Sequence, residues 1–105
     1  MRLFHIVPAA DWQRALATGT YAPPSLISEG FIHLSTAGQV GPTRARFFAG
    51  VDGLCLLELD GDALGPGLRW VDVVHADDGS VGRFPHLHRS LSVDEARRVP
   101  FPTAP

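Results

Sequence analysis

The sequence predicts a single compact α+β domain spanning residues 1–101, with a frayed tail at 102–105. Three observations lead there. Two helix-like segments alternate with strand-like runs in the first half, whereas the chain from residue 54 onward is almost all β, an order that argues against a doubly wound parallel sheet. With 105 residues and 45% apolar composition, there is material for one core and little room for a second. The 11 glycines and 9 prolines are spread along the chain, as many turns between short elements require.

The elements follow in order. "RLFHIV" (2–7) is a strand with Phe4 and Ile6 on one face and Leu3, His5 and Val7 on the other. Pro8 ends it, and Trp12, Ala15 and Leu16 then recur near helical spacing, predicting a helix from Ala9 to Thr18 with Gly19 at its C-cap. Pro23 and Pro24 predict an extended loop.

In "GFIHLST" the alternation places Phe31, His33 and Ser35 on one side and Ile32 and Leu34 on the other. Thr36 and Gln39 have capping-box spacing and open a helix over 37–49. Gly38, Gly41 and Pro42 weaken that helix, so packing through Val40, Phe47 and Phe48 must hold it. Strands follow at 54–60, 68–74 and 82–88, separated by turn-rich segments. Ser92 and Glu95 predict one further helical turn, and Val99 to Phe101 a last short strand. Trp12 and Trp70 read as core residues.

Composition excludes some roles. A formal net charge of −2 gives no extended basic surface for nucleic acid. The N-terminus reads as neither a signal peptide nor a membrane span, and the single cysteine, Cys55, lies in an apolar run. A cytoplasmic protein is the expectation. Walker A, G-x-G-x-x-G and G-x-S-x-G patterns are absent, which leaves the familiar phosphate cradles and the serine elbow without support.

Five histidines, at 5, 33, 75, 86 and 88, direct attention to the strands. If His5, His33 and His86 face one side, they line a groove offering donors and acceptors near neutral pH. His86 and His88 share a strand face and with His33 or His5 would make a three-histidine metal site, yet no H-E-x-x-H consensus supports one and no metal is assigned. The backbone N–H groups after Thr36 offer an anion site beside His33 and Ser35, with Arg46 as a further contact if it turns that way. Tyr21 and Phe31 flank the loop before the histidine strand, where a ring can stack on a base or nicotinamide.

Three segments, "LFHIVPAADWQRALATGTYAPPSLISEGFIHLST", "RFFAG" and "GRFPHLHRSL", resemble the small bacterial family DUF952 over nearly the whole chain. That family in turn resembles the ADP-ribosyltransferase-like and RNA 2'-phosphotransferase superfamily. The resemblance implies a curved, split β core, mixed or antiparallel, around a cleft for NAD or a related nucleotide, and an RNA end as a weaker candidate partner. It implies His33 and His86 as catalytic residues and His5, Ser35, Phe31 and Phe84 as cofactor-binding ones. Where the superfamily often has a glutamate, this chain has His86. Two alternatives stand beside transfer chemistry: a non-catalytic nucleotide or small-ligand binding module, and a histidine-ligated metal-dependent enzyme.

Overall fold

The computed structural model describes residues 1–102, and the expected tail lies outside the described residues beyond Pro102. Its elements are β1 (Arg2–Pro8), α1 (Ala9–Thr18), β2 (Thr20–Tyr21), α2 (Ser25–Ser28), β3 (Ile32–His33), α3 (Ala37–Phe47), β4 (Leu54–Asp60), β5 (Leu68–Val74), β6 (Val81–Leu87), β7 (Leu91–Ser92) and β8 (Ala96–Val99). Short 3-10 turns join β4 to β5 and β7 to β8. The α+β expectation is met.

Every strand pair among the described residues is antiparallel. β4 lies between β1 and β8, β6 lies between β3 and β5, and β2 pairs with β7. An isolated bridge joins the two larger sheets: Phe4 and Ser35 exchange both backbone hydrogen bonds at 2.8 Å.

The period-two patterns explain the layering. The Leu3 and Val7 face of β1 joins Leu57 and Leu59 of β4, Trp12 and Ala15 of α1, and Ile32, Leu34 and Leu87 in the main core. Ile6 and Leu56, on the opposite face, meet Val40 of α3 in a smaller cluster completed by Phe4, Phe48 and Val99. The β1–β4–β8 sheet is therefore covered on both faces. In the β3–β6–β5 sheet, Ile32, Leu87 and Trp70 turn toward the main core. His33 and Phe84 belong to the other face, because antiparallel partners share a side and successive residues alternate.

The caps follow the sequence reading. Gly19 takes φ 87°, and its N–H bonds the Ala15 carbonyl at 2.8 Å to close α1. The Thr36–Gln39 capping box opens α3, with Thr36 N donating to Gln39 Oε1 at 3.0 Å. The Gln39 Nε2 also donates to the Arg83 carbonyl at 2.7 Å, pinning the helix start to β6. α3 runs through Pro42, although proline cannot donate to the carbonyl four residues earlier. At the Ser92–Glu95 box, Ser92 N donates to Glu95 Oε1 at 3.0 Å, and Arg89 holds the same carboxylate with two hydrogen bonds.

Four expectations need correction. Pro23 and Pro24 do not enforce an extended loop: Pro24, at φ −53° and ψ −29°, accepts the N–H of Ile27 and opens α2, since proline's fixed φ suits a first helical turn. α3 ends at Phe47, two residues early, where the Phe48 N–H caps the Arg44 carbonyl. Phe47 is a surface residue at 63% exposure and does not hold the helix; Val40 and Phe48 do. The last strand lies at Ala96–Val99, because its register is set by Glu58↔Arg97 pairing on β4 and not by its own hydrophobicity. Among the described residues, no helix is long and apolar enough to cross a membrane.

Candidate functional site

Between α3, β1 and the far face of the β3–β6–β5 sheet lies a cavity of about 510 Å³. Its wall contains His5, Phe31, His33, Ser35, Phe84 and His86, all six residues singled out in the sequence. Strand pairing produces this convergence. His33 lies opposite His86 in the β3–β6 register, so both side chains project to one side. Phe84, two residues before His86, shares that face, and the Phe4–Ser35 bridge carries β1 and His5 alongside.

His5 is buried and fully bonded. Its Nδ1 lies 2.6 Å from the His33 carbonyl, which can only accept, so Nδ1 carries the proton. Nε2 then accepts from the Tyr21 hydroxyl at 2.7 Å. Burial, and to a smaller degree the charge of His33, lowers the His5 pKa to about 4, and the ring is neutral at physiological pH. Burial pushes the Tyr21 hydroxyl up. The cofactor-binding role expected of His5 finds no free ring nitrogen here; the residue instead ties the His33 backbone to Tyr21. Tyr21 likewise is a core residue and not a stacking platform.

His33 is half exposed, and its Nε2 lies 2.7 Å from Glu29 Oε2. With that nitrogen facing a carboxylate, the neutral ring keeps its proton on Nε2 and leaves Nδ1 as an acceptor. His86 stacks on Phe31, with centroids 3.9 Å apart and planes within 6° of parallel, while His33 meets both rings edge-on. Desolvation, followed by the charges of His33 and His88, lowers the His86 pKa, so the uncharged form is favoured. Among the described residues, the buried side-chain polar atom without a partner is His88 Nε2. The His86 nitrogens and the Ser35 hydroxyl are bonded to no other described residue, and both residues line the cavity.

Sequence reasoning missed several wall residues. Glu29 precedes His33 by four positions, a helical spacing, yet a turn at Gly30 with φ 88° brings them together and not a helix. His75 enters from the β5–β6 turn and meets Phe84 edge-on at 5.6 Å. Thr43 and Phe47 come from the C-terminal half of α3, and Phe48 is its C-cap. Arg46 clips that half to the same turn through Asp77 at 3.0 Å and Asp78 at 3.2 Å. It therefore stabilises the cavity's outer wall and does not turn into it.

Two further expectations are revised. The start of α3 offers no anion site to this cavity, whose lining passes from Ser35 to Thr43 without touching Thr36, Ala37 or Gly38. Among the described residues, no three His, Cys, Asp or Glu side chains group as a metal site. The physical reasons are that His5 has spent both nitrogens and that the His86 and His88 rings stand 6.5 Å apart at 50°.

Relatives agree with this geometry as far as the fold. The crystal structure of protein CC0527 from Caulobacter crescentus matches with a TM-score of 0.80 at 35% identity, covering 94% of this chain and 84% of that one. Its solution NMR structure matches with a TM-score of 0.76 at 36% identity over 92% and 80% of the two chains. No curated protein matches. The family model described as "Protein of unknown function (DUF952)" matches residues 6–99, and on that match the chain belongs to the DUF952 family.

Proposed function

We propose that the cavity binds NAD or a related nucleotide by its nicotinamide riboside end, and that the protein cleaves or transfers at the glycosidic carbon in the manner of ADP-ribosyltransferases. One observation carries the reading: side chains from three separate segments, matched by the family resemblance, meet on one aromatic-walled cavity. A volume of about 510 Å³ lies within the range of small-ligand sites.

The roles follow from the free atoms. Phe31 and Phe84 offer ring faces and edges to a flat heterocycle. The Ser35 hydroxyl and the His86 nitrogens hydrogen-bond ribose hydroxyls. In the reaction, the bond from C1′ to the nicotinamide nitrogen breaks, and that nitrogen keeps the electron pair and leaves neutral. An oxygen of water or of an acceptor forms the new bond to C1′, and its proton passes to His33 Nδ1. The charge gained by His33 is stabilised by Glu29, as a carboxylate stabilises the imidazolium in other acid–base dyads. A carboxylate thus does serve this site, although not at the position where the superfamily has its glutamate.

Phosphoryl transfer at an RNA end has less support, since no arginine lines the cavity. A non-catalytic binding module is the second reading, favoured by the largely apolar wall and by the uncharged His86. Calorimetric titration with NAD, ADP-ribose and a phosphorylated RNA end, with chromatography for released nicotinamide, separates these readings. The expected result is NAD binding with nicotinamide release that is lost in His33→Ala. Binding without release supports the module. No binding to any of the three at millimolar concentration overturns the nucleotide reading.

A further inference from the structure

A nucleotide carries negative charge that the cavity wall does not answer, since its lining includes no arginine and one carboxylate, Glu29. All nine basic residues of the chain are arginines. Five of them hold carboxylates, and Arg44 lies over the Phe101 ring at 3.9 Å. Arg69, Arg83 and Arg98 remain, with no ion pair among the described residues. Arg98 belongs to β8, in the other sheet. Arg83 lies between Gly82 and Phe84 on β6 and so projects away from the cavity side, opposite Asp72.

Arg69 is placed differently. It is directly opposite His86 in the β5–β6 register, while His33 is opposite His86 on the other flank. Antiparallel partners share a face, so Arg69, His86 and His33 form one row across three strands, all on the cavity side. β5 is the edge strand of this sheet, and Arg69 is exposed there. Adjacent strands lie about 4.8 Å apart, a spacing that a guanidinium on its flexible stem spans easily.

We infer that Arg69 is the phosphate-binding residue of this site: the ring end of the ligand enters the cavity, and its anionic phosphate lies at the rim, on Arg69, beside His86. The inference deepens the nucleotide reading and rests on it. A planar guanidinium suits this role, since it offers paired donors to phosphate oxygens and stays charged at every relevant pH. The row also gives the ligand a direction: ring toward α3, phosphate toward the β5 edge. A phosphate at the rim costs less desolvation than one inside the apolar wall.

The test uses two ligands that differ by one phosphate, nicotinamide mononucleotide and nicotinamide riboside, titrated calorimetrically into wild type and Arg69→Gln. Wild type is expected to bind the mononucleotide about fivefold more tightly, the scale of a solvent-facing charge pair. In Arg69→Gln that preference disappears while riboside affinity is unchanged, and in wild type it shrinks as salt is raised. A preference that survives Arg69→Gln overturns the assignment and leaves the nucleotide reading intact. If neither ligand binds wild type at millimolar concentration, the nucleotide reading fails. The assignment then rests on the phosphorus NMR line of pyrophosphate, which must shift with wild type and not with Arg69→Gln; identical lines overturn it. The thermal melt of Arg69→Gln should match wild type, as expected for an exposed edge position.

Discussion

Acid should weaken this protein well before its carboxylates titrate, and His5 is the reason. The folded state holds the ring neutral, with a pKa of about 4 against an ordinary 6.5, whereas the unfolded chain takes up the proton near 6.5. Below the higher value the unfolded state binds more protons, so stability is fully present above pH 6.5 and is lost as pH falls toward 4. The shift amounts to roughly 3 kcal/mol in total, with about 2 kcal/mol already gone at pH 5. Glu58, Asp78 and Glu95 also have depressed pKa values, but their contribution is lost only as pH falls through the ordinary carboxylate range and below it. Burial lowers His86 as well, so its protonation costs stability in the same direction as pH falls and is the background to subtract. Urea unfolding between pH 7.5 and 4.5 measures the slope, and His5→Asn is the comparison. Asparagine can still donate to the His33 carbonyl but does not titrate. It strands the Tyr21 hydroxyl at a cost of about 1 to 3 kcal/mol. The variant should start less stable at pH 7.5 and lose most of the wild-type slope. An equal slope in both proteins, or a His5 NMR titration centred near 6.5, would refute the reasoning.

Three other outcomes are expected. A Cβ at Gly82 would sit 2.6 Å from Phe84 Cε2, so Gly82→Ala should displace that ring, cost about 1 to 3 kcal/mol of stability by overpacking, and weaken nucleotide affinity in titration. Glu29→Gln keeps a hydrogen bond to His33 but removes the carboxylate beside the proposed base; nicotinamide release should fall about 10²-fold or more with NAD affinity little changed. Cys55 is buried and burial pushes its thiol up, so thiol reagents should label it only as fast as the protein unfolds, which a comparison with circular-dichroism unfolding rates checks.

The long elements were legible because their periods are unambiguous. Leu3, Val7, Leu57 and Leu59 announce strands with one core face, and the Thr36–Gln39 and Ser92–Glu95 pairs announce caps that the backbone uses. Short elements have no period to read: α2 spans four residues, and β2 and β7 two each, held by tertiary pairing alone. Pro24 misled because the same φ serves an extended loop and a first helical turn. Phe47 reads as core by type, but helix α3 turns it toward the cavity and solvent.

The site was half legible. His33, Ser35, Phe84 and His86 follow from alternation along two strands that proved to be neighbours. Glu29 and His75 enter from turns, where alternation carries no information, and only the folded chain brings them to the wall. Arg69 was invisible for a related reason, since its position beside His86 depends on a register that the sequence does not state. His5 stood out in the sequence as a ligand contact, and its hydrogen bonds make it a structural residue.

The histidine-lined cavity is proposed to take the nicotinamide riboside end of a nucleotide. A crystal structure of the protein soaked with NAD tests it most directly. The expected result is the nicotinamide ring against Phe31 and Phe84, ribose hydroxyls within hydrogen-bond distance of Ser35 and His86, and C1′ facing His33 Nδ1. NAD bound elsewhere on the surface, or an adenine ring in the cavity with the nicotinamide outside, would contradict it.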